Sequence, residues 1–176
     1  MRFIRLILIS LMIFTASAFG ANPTNKASIR VGEITLPTGT YGGVKISTTN
    51  LGYLRADFSI TPLRLSPQDG KGLDFTDLNG NRVLFALDNA APFQFASYVA
   101  ISNLQDQVTY NTSLAVGTTY DFSLVIGPTT ATLWWKTRTG NIKIGTISHS
   151  LTPPFDMGVG VQRSGATFSD IIVKER

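Results

Sequence analysis

Val116–Lys136, VGTTYDFSLVIGPTTATLWWK, is the stretch whose reading decides the fold. Tyr120, Phe122, Leu124 and Ile126 alternate with Asp121, Ser123 and Val125, the period-2 pattern of a strand with one buried face. The turn residues Gly127-Pro128-Thr129-Thr130 follow. Alternation then resumes, with Ala131, Leu133 and Trp135 on one side and Thr132, Trp134 and Lys136 on the other. Two alternating runs around four turn residues predict a β-hairpin. Neighbours along a strand point to opposite faces, so Trp135 belongs with the apolar set and Trp134 faces outward among polar groups.

The rest of the chain reads in the same period. Leu54, Ala56, Phe58 and Ile60 form one face, with Tyr53, Arg55, Asp57 and Ser59 on the other. A first strand is expected over Ser28–Leu36 and a short one at Val44–Ser47. Leu73–Phe75 precedes an Asn79-Gly80 hairpin signal, and Arg82–Leu87 follows it. There Leu84 and Ala86 alternate with Val83, Phe85 and Leu87, so coverage on both faces is expected. Further pieces are expected at Phe93–Phe95, Tyr98–Ile101, Val108–Leu114, Met157–Val161 and Ala166–Lys174. Gly145, in mid-run after Ile142–Ile144, marks a bulge. No helical period occurs beyond the first twenty residues. About a dozen short strands with frequent turn signals make an all-β sandwich or barrel.

The chain begins Met1-Arg2-Phe3-Ile4-Arg5 and runs into the apolar stretch Leu6–Phe14. Ala16-x-Ala18 and Ala18-x-Gly20 then offer small residues at cleavage spacing. This run is too short to span a bilayer and reads as a secretory signal peptide over 1–20. An extended lead-in (21–27) and one β-sandwich domain (28–176) are expected to follow, in a secreted or periplasmic/extracellular protein with no membrane insertion after cleavage. The sequence has no cysteine, so packing and hydrogen bonding alone must hold the fold. Fifteen basic residues face 11 acidic ones; without Arg2 and Arg5 the excess shrinks to two. The charges are scattered singly, without the basic stripe of a nucleic-acid binder.

Thr119–Ile126, followed by the hairpin into Ala131–Trp135, resembles a characteristic strand pair of the concanavalin A-like lectin/glucanase superfamily, which includes laminin G-like modules. Gly165–Val173, where Phe168 and Asp170 precede a terminal apolar run, resembles that superfamily's common ending. The resemblance implies a two-sheet antiparallel jelly-roll sandwich, with carbohydrate often held on the concave face or at loop ends.

Glycoside hydrolysis needs two positioned carboxyl groups, and the resemblance implies a run of alternating acids on one strand. The chain has two glutamates, Glu33 and Glu175, and nine dispersed aspartates; Asp74 and Asp77, the closest pair, fall on opposite strand faces. His149 is the one histidine and is read as an exposed or hydrogen-bonded bystander. The chain is therefore expected not to be an enzyme and to need no cofactor. Calcium is the one metal left open, with Asp74, Asp77 and Asn79 as candidate ligands; one histidine and no cysteine leave no structural zinc site. The expected ligand platform is Trp134, whose indole can stack on the C–H face of a sugar, with Thr132, Lys136 and Arg138 as polar neighbours. Tyr41 and Tyr53 could offer similar chemistry. Asn111-Thr112-Ser113 is a glycosylation sequon. The functional expectation is a lectin-like protein whose partner is a carbohydrate or glycoconjugate. The alternative is a secreted surface or matrix protein that uses its sandwich for protein contacts or self-assembly.

Overall fold

The computed structural model describes residues 28–39, 41–47, 52–65, 70–87 and 93–176; the expected signal peptide (1–20) and lead-in (21–27) lie outside the described residues. Thirteen strands and no helix occur among them. The first six are β1 (Ser28–Val31), β2 (Ile34–Leu36), β3 (Tyr41–Ser47), β4 (Leu54–Pro62), β5 (Lys71–Asp77) and β6 (Arg82–Leu87). Then come β7 (Phe93–Val99), β8 (Asn103–Tyr110), β9 (Tyr120–Ile126) and β10 (Thr130–Thr137). The last are β11 (Gly140–Ser148), β12 (Phe155–Gln162) and β13 (Ala166–Glu175).

Sheet I has the order β1-β13-β4-β9-β10-β11, with β2 also pairing β13; sheet II has the order β3-β12-β5-β6-β7-β8. Sequence-adjacent hairpins build β5–β8 and β9–β11, while long connections bring β4 between β13 and β9, and β12 between β3 and β5. The two inner faces share one core. Phe58 and Phe122 of sheet I meet Phe85 and Phe93 of sheet II, with centroids 4.5 Å apart for Phe85–Phe122 and 5.2 Å for Phe93–Phe122. Trp135 points inward as its phase predicts and meets Phe93 edge-on at 5.2 Å.

Three details depend on local irregularity. The expected first strand is two strands in one continuous register on β13, interrupted at Gly32-Glu33. The gap lies opposite Asp170, where β13 takes a positive φ of 51° and bulges against β4. The bulge expected at Gly145 is present: Leu133 pairs Gly145 but Trp134 pairs Lys143, leaving Ile144 as the extra residue. A Cβ on Gly145 would come within 2.7 Å of Val108 on β8, so the glycine lets the two sheets close along this flank. There Asp106 Oδ2 accepts the Ser148 N–H at 2.7 Å and Ser97 Oγ donates to the Ser148 carbonyl at 2.7 Å, covering the edge of β11. Finally, Leu84 and Ala86 of β6 are only half-buried, because no layer of the described residues covers the outer face of sheet II.

Candidate functional site

The register of sheet II aligns glycines from three strands. Gly43, Gly160 and Gly72 lie side by side, with Ala86 next on β6. One step along the strands Lys45, Gly158, Asp74 and Leu84 are aligned, and one step further Asp156, Thr76, Arg82 and Tyr98. The first row carries nothing larger than a methyl, so the outer face is hollowed. One depression of about 600 Å³ includes Gly43, Lys45, Asp74, Thr76, Asp156 and Gly158 and reaches Leu78 in the β5–β6 turn. A second, of about 380 Å³, covers Gly72, Arg82, Leu84, Ala86 and Gln162 and shares Asp74 and Gly160 with the first. They form one shallow groove with Asp74 at its middle.

Close approach explains Gly43, Gly72 and Gly158, whereas a Cβ on Gly160 would meet only ordinary contacts. A Cβ on Gly43 would overlap the Val159 carbonyl, and one on Gly158 would overlap Asp74 Oδ1. The Asp74 carboxylate therefore lies over the Gly158 backbone. Arg82 Nε stands 2.9 Å from its Oδ2, and Thr76 Oγ1 donates to the same oxygen at 3.2 Å. The Arg82 contact lies off the N–H axis, so Nε makes no hydrogen bond among the described residues. Asp156 pairs with Lys45 at 2.5 Å. Lys45 is 72% exposed, so this pair adds little stability and chiefly fixes charge at the groove wall. The groove thus presents two carboxylates that can accept hydrogen bonds from hydroxyl groups and a guanidinium that can donate to hydroxyl oxygens.

The ligand platform predicted from sequence lies on the other side of the sandwich. Trp134 is half-buried on the outer face of sheet I, between Ser123 and Lys143. Lys136 Nζ donates to Asp57 Oδ1 at 2.7 Å, and Thr132 shares a 3.0 Å hydrogen bond with Thr146. Burial would raise the Asp57 carboxyl, but hydrogen bonds from Lys136, Arg55 and Ser123 hold it below its ordinary value. Arg138 is exposed in the β10–β11 turn. Tyr53 packs toward Phe155 at 6.2 Å, and the Tyr41 side chain lies outside the described residues.

The three calcium candidates are not brought together. Asp74 faces the groove, whereas Asp77 is buried and accepts hydrogen bonds from Asn79, Asn81 and Thr152. Among the described residues no three His, Asp or Glu side chains are grouped to hold a metal.

His149 is hydrogen-bonded and buried. Its Nδ1 accepts the Leu151 N–H at 3.1 Å, so Nε2 carries the proton, facing the Gly127 and Thr130 carbonyls without hydrogen-bond geometry to either. Burial lowers the imidazole below its ordinary value of 6.5, more than those carbonyls raise it. The folded chain thus holds a neutral ring while the unfolded chain takes up a proton below pH 6.5. Stability is expected to be full above that pH and to fall as the pH drops through the window beneath it. Urea denaturation at pH 7.5 and 5.5 should show this loss, and His149→Gln should reduce it.

No family model matches the sequence, and no curated protein matches it. Solved structures do. A Caenorhabditis elegans galectin superposes with a TM-score of 0.54 at 10% identity, over 80% of this chain and 95% of that one. A Bacillus subtilis carbohydrate-binding module gives 0.54 at 13%, over 86% and 92%. The fold is that of the concanavalin A-like jelly rolls. A β-1,3-1,4-glucanase (lichenase) from a mouse hindgut metagenome also shares it, with a TM-score of 0.55 at 9% identity over 71% of this chain and 67% of that one.

The last likeness corrects the expectation that this chain is not an enzyme. That expectation rested on the lack of two acids along one strand, yet the jelly roll is a fold on which a glucanase works. It also paired carboxylates only along the sequence. The register of β5 and β12 brings Asp74 and Asp156 to one groove across 82 positions of chain. The phase of Gly158-x-Gly160 and Gly70-x-Gly72 against Asp74 was the signal that could have pointed there.

Proposed function

We propose that this jelly roll is a secreted, lectin-like carbohydrate-binding protein that seats its glycan in the groove across sheet II. The observation that carries this reading is the glycine-floored hollow with Asp74–Arg82 at its middle and Asp156–Lys45 on its wall. A sugar hydroxyl donates one hydrogen bond and accepts others, and paired carboxylate and guanidinium groups meet both needs. Galectin and a carbohydrate-binding module on the same fold support the ligand class. Binding is expected not to require calcium.

A glycan array followed by titration of the positive ligands tests the reading. Asp74→Ala should weaken binding at least about tenfold, roughly 1.4 kcal/mol, through the loss of a charged hydrogen-bond acceptor. Gly158→Ala should do the same with Tm little changed, since its methyl displaces only the movable Asp74 carboxylate. A blank array rejects the proposal.

The second reading places the ligand on Trp134, with Thr132, Lys136 and Arg138 around it. The half-buried indole on the opposite outer face favours it. Loss of glycan binding in Trp134→Ala, with Asp74→Ala binding normally, would move the site to sheet I. No glycan response together with a concentration-dependent oligomer would favour the protein-contact alternative.

A further inference from the structure

Four of the exposed large apolar side chains gather at one end of sheet II: Leu78 (85% exposed), Ile101 (65%), Leu104 (54%) and Val99 (37%). Leu78 stands in the β5–β6 turn and the others in or beside the β7–β8 turn. The Ile101 N–H donates to the Gly80 carbonyl at 2.7 Å and ties the two turns together. Leu104 lies opposite Tyr98, and Tyr98 lies opposite Arg82. Leu78 also borders the larger depression. Leu78 therefore makes the apolar surface a lip of the groove at this end, with β7 between Leu104 and Arg82.

The backbone of this lip is strained. Ala100 and Ile101 have φ values of 48° and 72°, a region a β-branched residue enters only at a cost and that glycine or asparagine adopts easily. Gly80, at φ 76°, leaves room for the isoleucine, since a Cβ there would lie 3.0 Å from Ile101 Cγ1. Ile101 is thus placed where folding favours glycine and where most of its surface stays in water. Stability does not account for it.

We propose that Leu78, Ile101 and Leu104 hold a nonpolar substituent, an acyl or aryl group, carried by the glycan in the groove. This rests on the groove reading above. Charged and apolar surface so close together suits one amphiphilic molecule. Asn79, Asn81, Ser102, Asn103 and Gln105 beside the lip are uncharged, and Arg82, paired with Asp74, is a single cation rather than a basic rim for an anionic bilayer.

The test uses methyl and octyl glycosides of glucose, galactose, mannose and fructose, below the micelle concentration, titrated by NMR. An octyl glycoside should bind about tenfold more tightly than its methyl counterpart. Ile101→Gly and Leu104→Ser should abolish that gain and leave methyl-glycoside binding unchanged. Ile101→Gly also removes an unfavourable φ, so its Tm should equal or exceed that of the wild type, which separates lost contact from misfolding. Equal affinity for both glycosides overturns the inference and leaves the groove reading intact. Octyl binding that survives Asp74→Ala also overturns it, because the lip then acts apart from the groove. So does a concentration-dependent dimer broken by Leu104→Ser, which would make the lip a self-contact. If neither glycoside binds, the lip inference falls, while the groove reading falls only with a blank array.

Discussion

Phe122→Ala is expected to lower stability by about 4 kcal/mol and Tm by roughly 10 °C. Phe122 sits on β9, flanked by β4 and β10, and it is fully buried. Its ring contacts Phe58 at 5.6 Å in its own sheet, and Phe85 at 4.5 Å and Phe93 at 5.2 Å in the facing one. Truncation removes the transfer energy of a phenyl ring and leaves a cavity between two hydrogen-bonded sheets, whose separation cannot easily shrink around one missing side chain. Three aromatic pairs are lost with it. Val125→Ala, on the outer face of the same strand, should cost under about 1 kcal/mol. Urea titration gives both values; an unchanged slope shows that the native state, not the unfolded one, carries the effect. A loss below about 2 kcal/mol for Phe122→Ala would mean that the core repacks and that the ring is not its keystone.

The legibility of such residues follows from period 2. Tyr120–Ile126 alternates without interruption, so its inward set and the opposed directions of Trp134 and Trp135 are readable without coordinates, and both tryptophans point as their phase requires. Pairing is less readable. Nothing local in Leu54–Ile60 says that its neighbours are β9 and β13, because each edge of a strand offers the same row of donors and acceptors. The groove fails to appear for a related reason. It is made by the absence of side chains at Gly43, Gly72 and Gly160, and by acids on β5 and β12 that register alone brings together. In sequence an isolated glycine in a strand reads as a weakness or a bulge. A row of them across three strands reads as a surface only once the strands are aligned. The large aromatic residue on the polar side of β10 drew the sequence-based site to sheet I for the opposite reason: Trp134 announces itself, whereas a hollow does not.

Asp77→Ala is expected to cost about 2 kcal/mol, since five part-buried hydrogen bonds lose the one buried carboxylate that accepts them. Oδ1 accepts the Asn79 and Asn81 N–H groups at 2.8 and 2.9 Å, and Oδ2 accepts Asn81 Nδ2, Thr152 N and Thr152 Oγ1 at 2.9 to 3.0 Å. One carboxylate therefore shapes the Asn-Gly turn and fastens it to the segment before β12, which carries Asp156 and Gly158. Burial would raise this carboxyl, but the bonds from Thr152 and Asn81 outweigh it and hold it below its ordinary value of 3.8. The stabilisation is then present above pH 3.8 and is lost as the pH falls through the lower folded-state value, a window separate from the His149 one. Asp77→Ala should flatten the acid limb below pH 3.8 and leave the loss beneath pH 6.5 in place. Asp77→Asn keeps the acceptor on one side only and should recover part of the stability but none of that acid-limb dependence. Because the same tether positions the Leu78 turn and the β12 wall of the groove, glycan affinity should fall in Asp77→Ala even at pH 7 and low temperature, where the chain is still folded. Intact affinity in a folded Asp77→Ala variant would show that the groove keeps its shape without the tether.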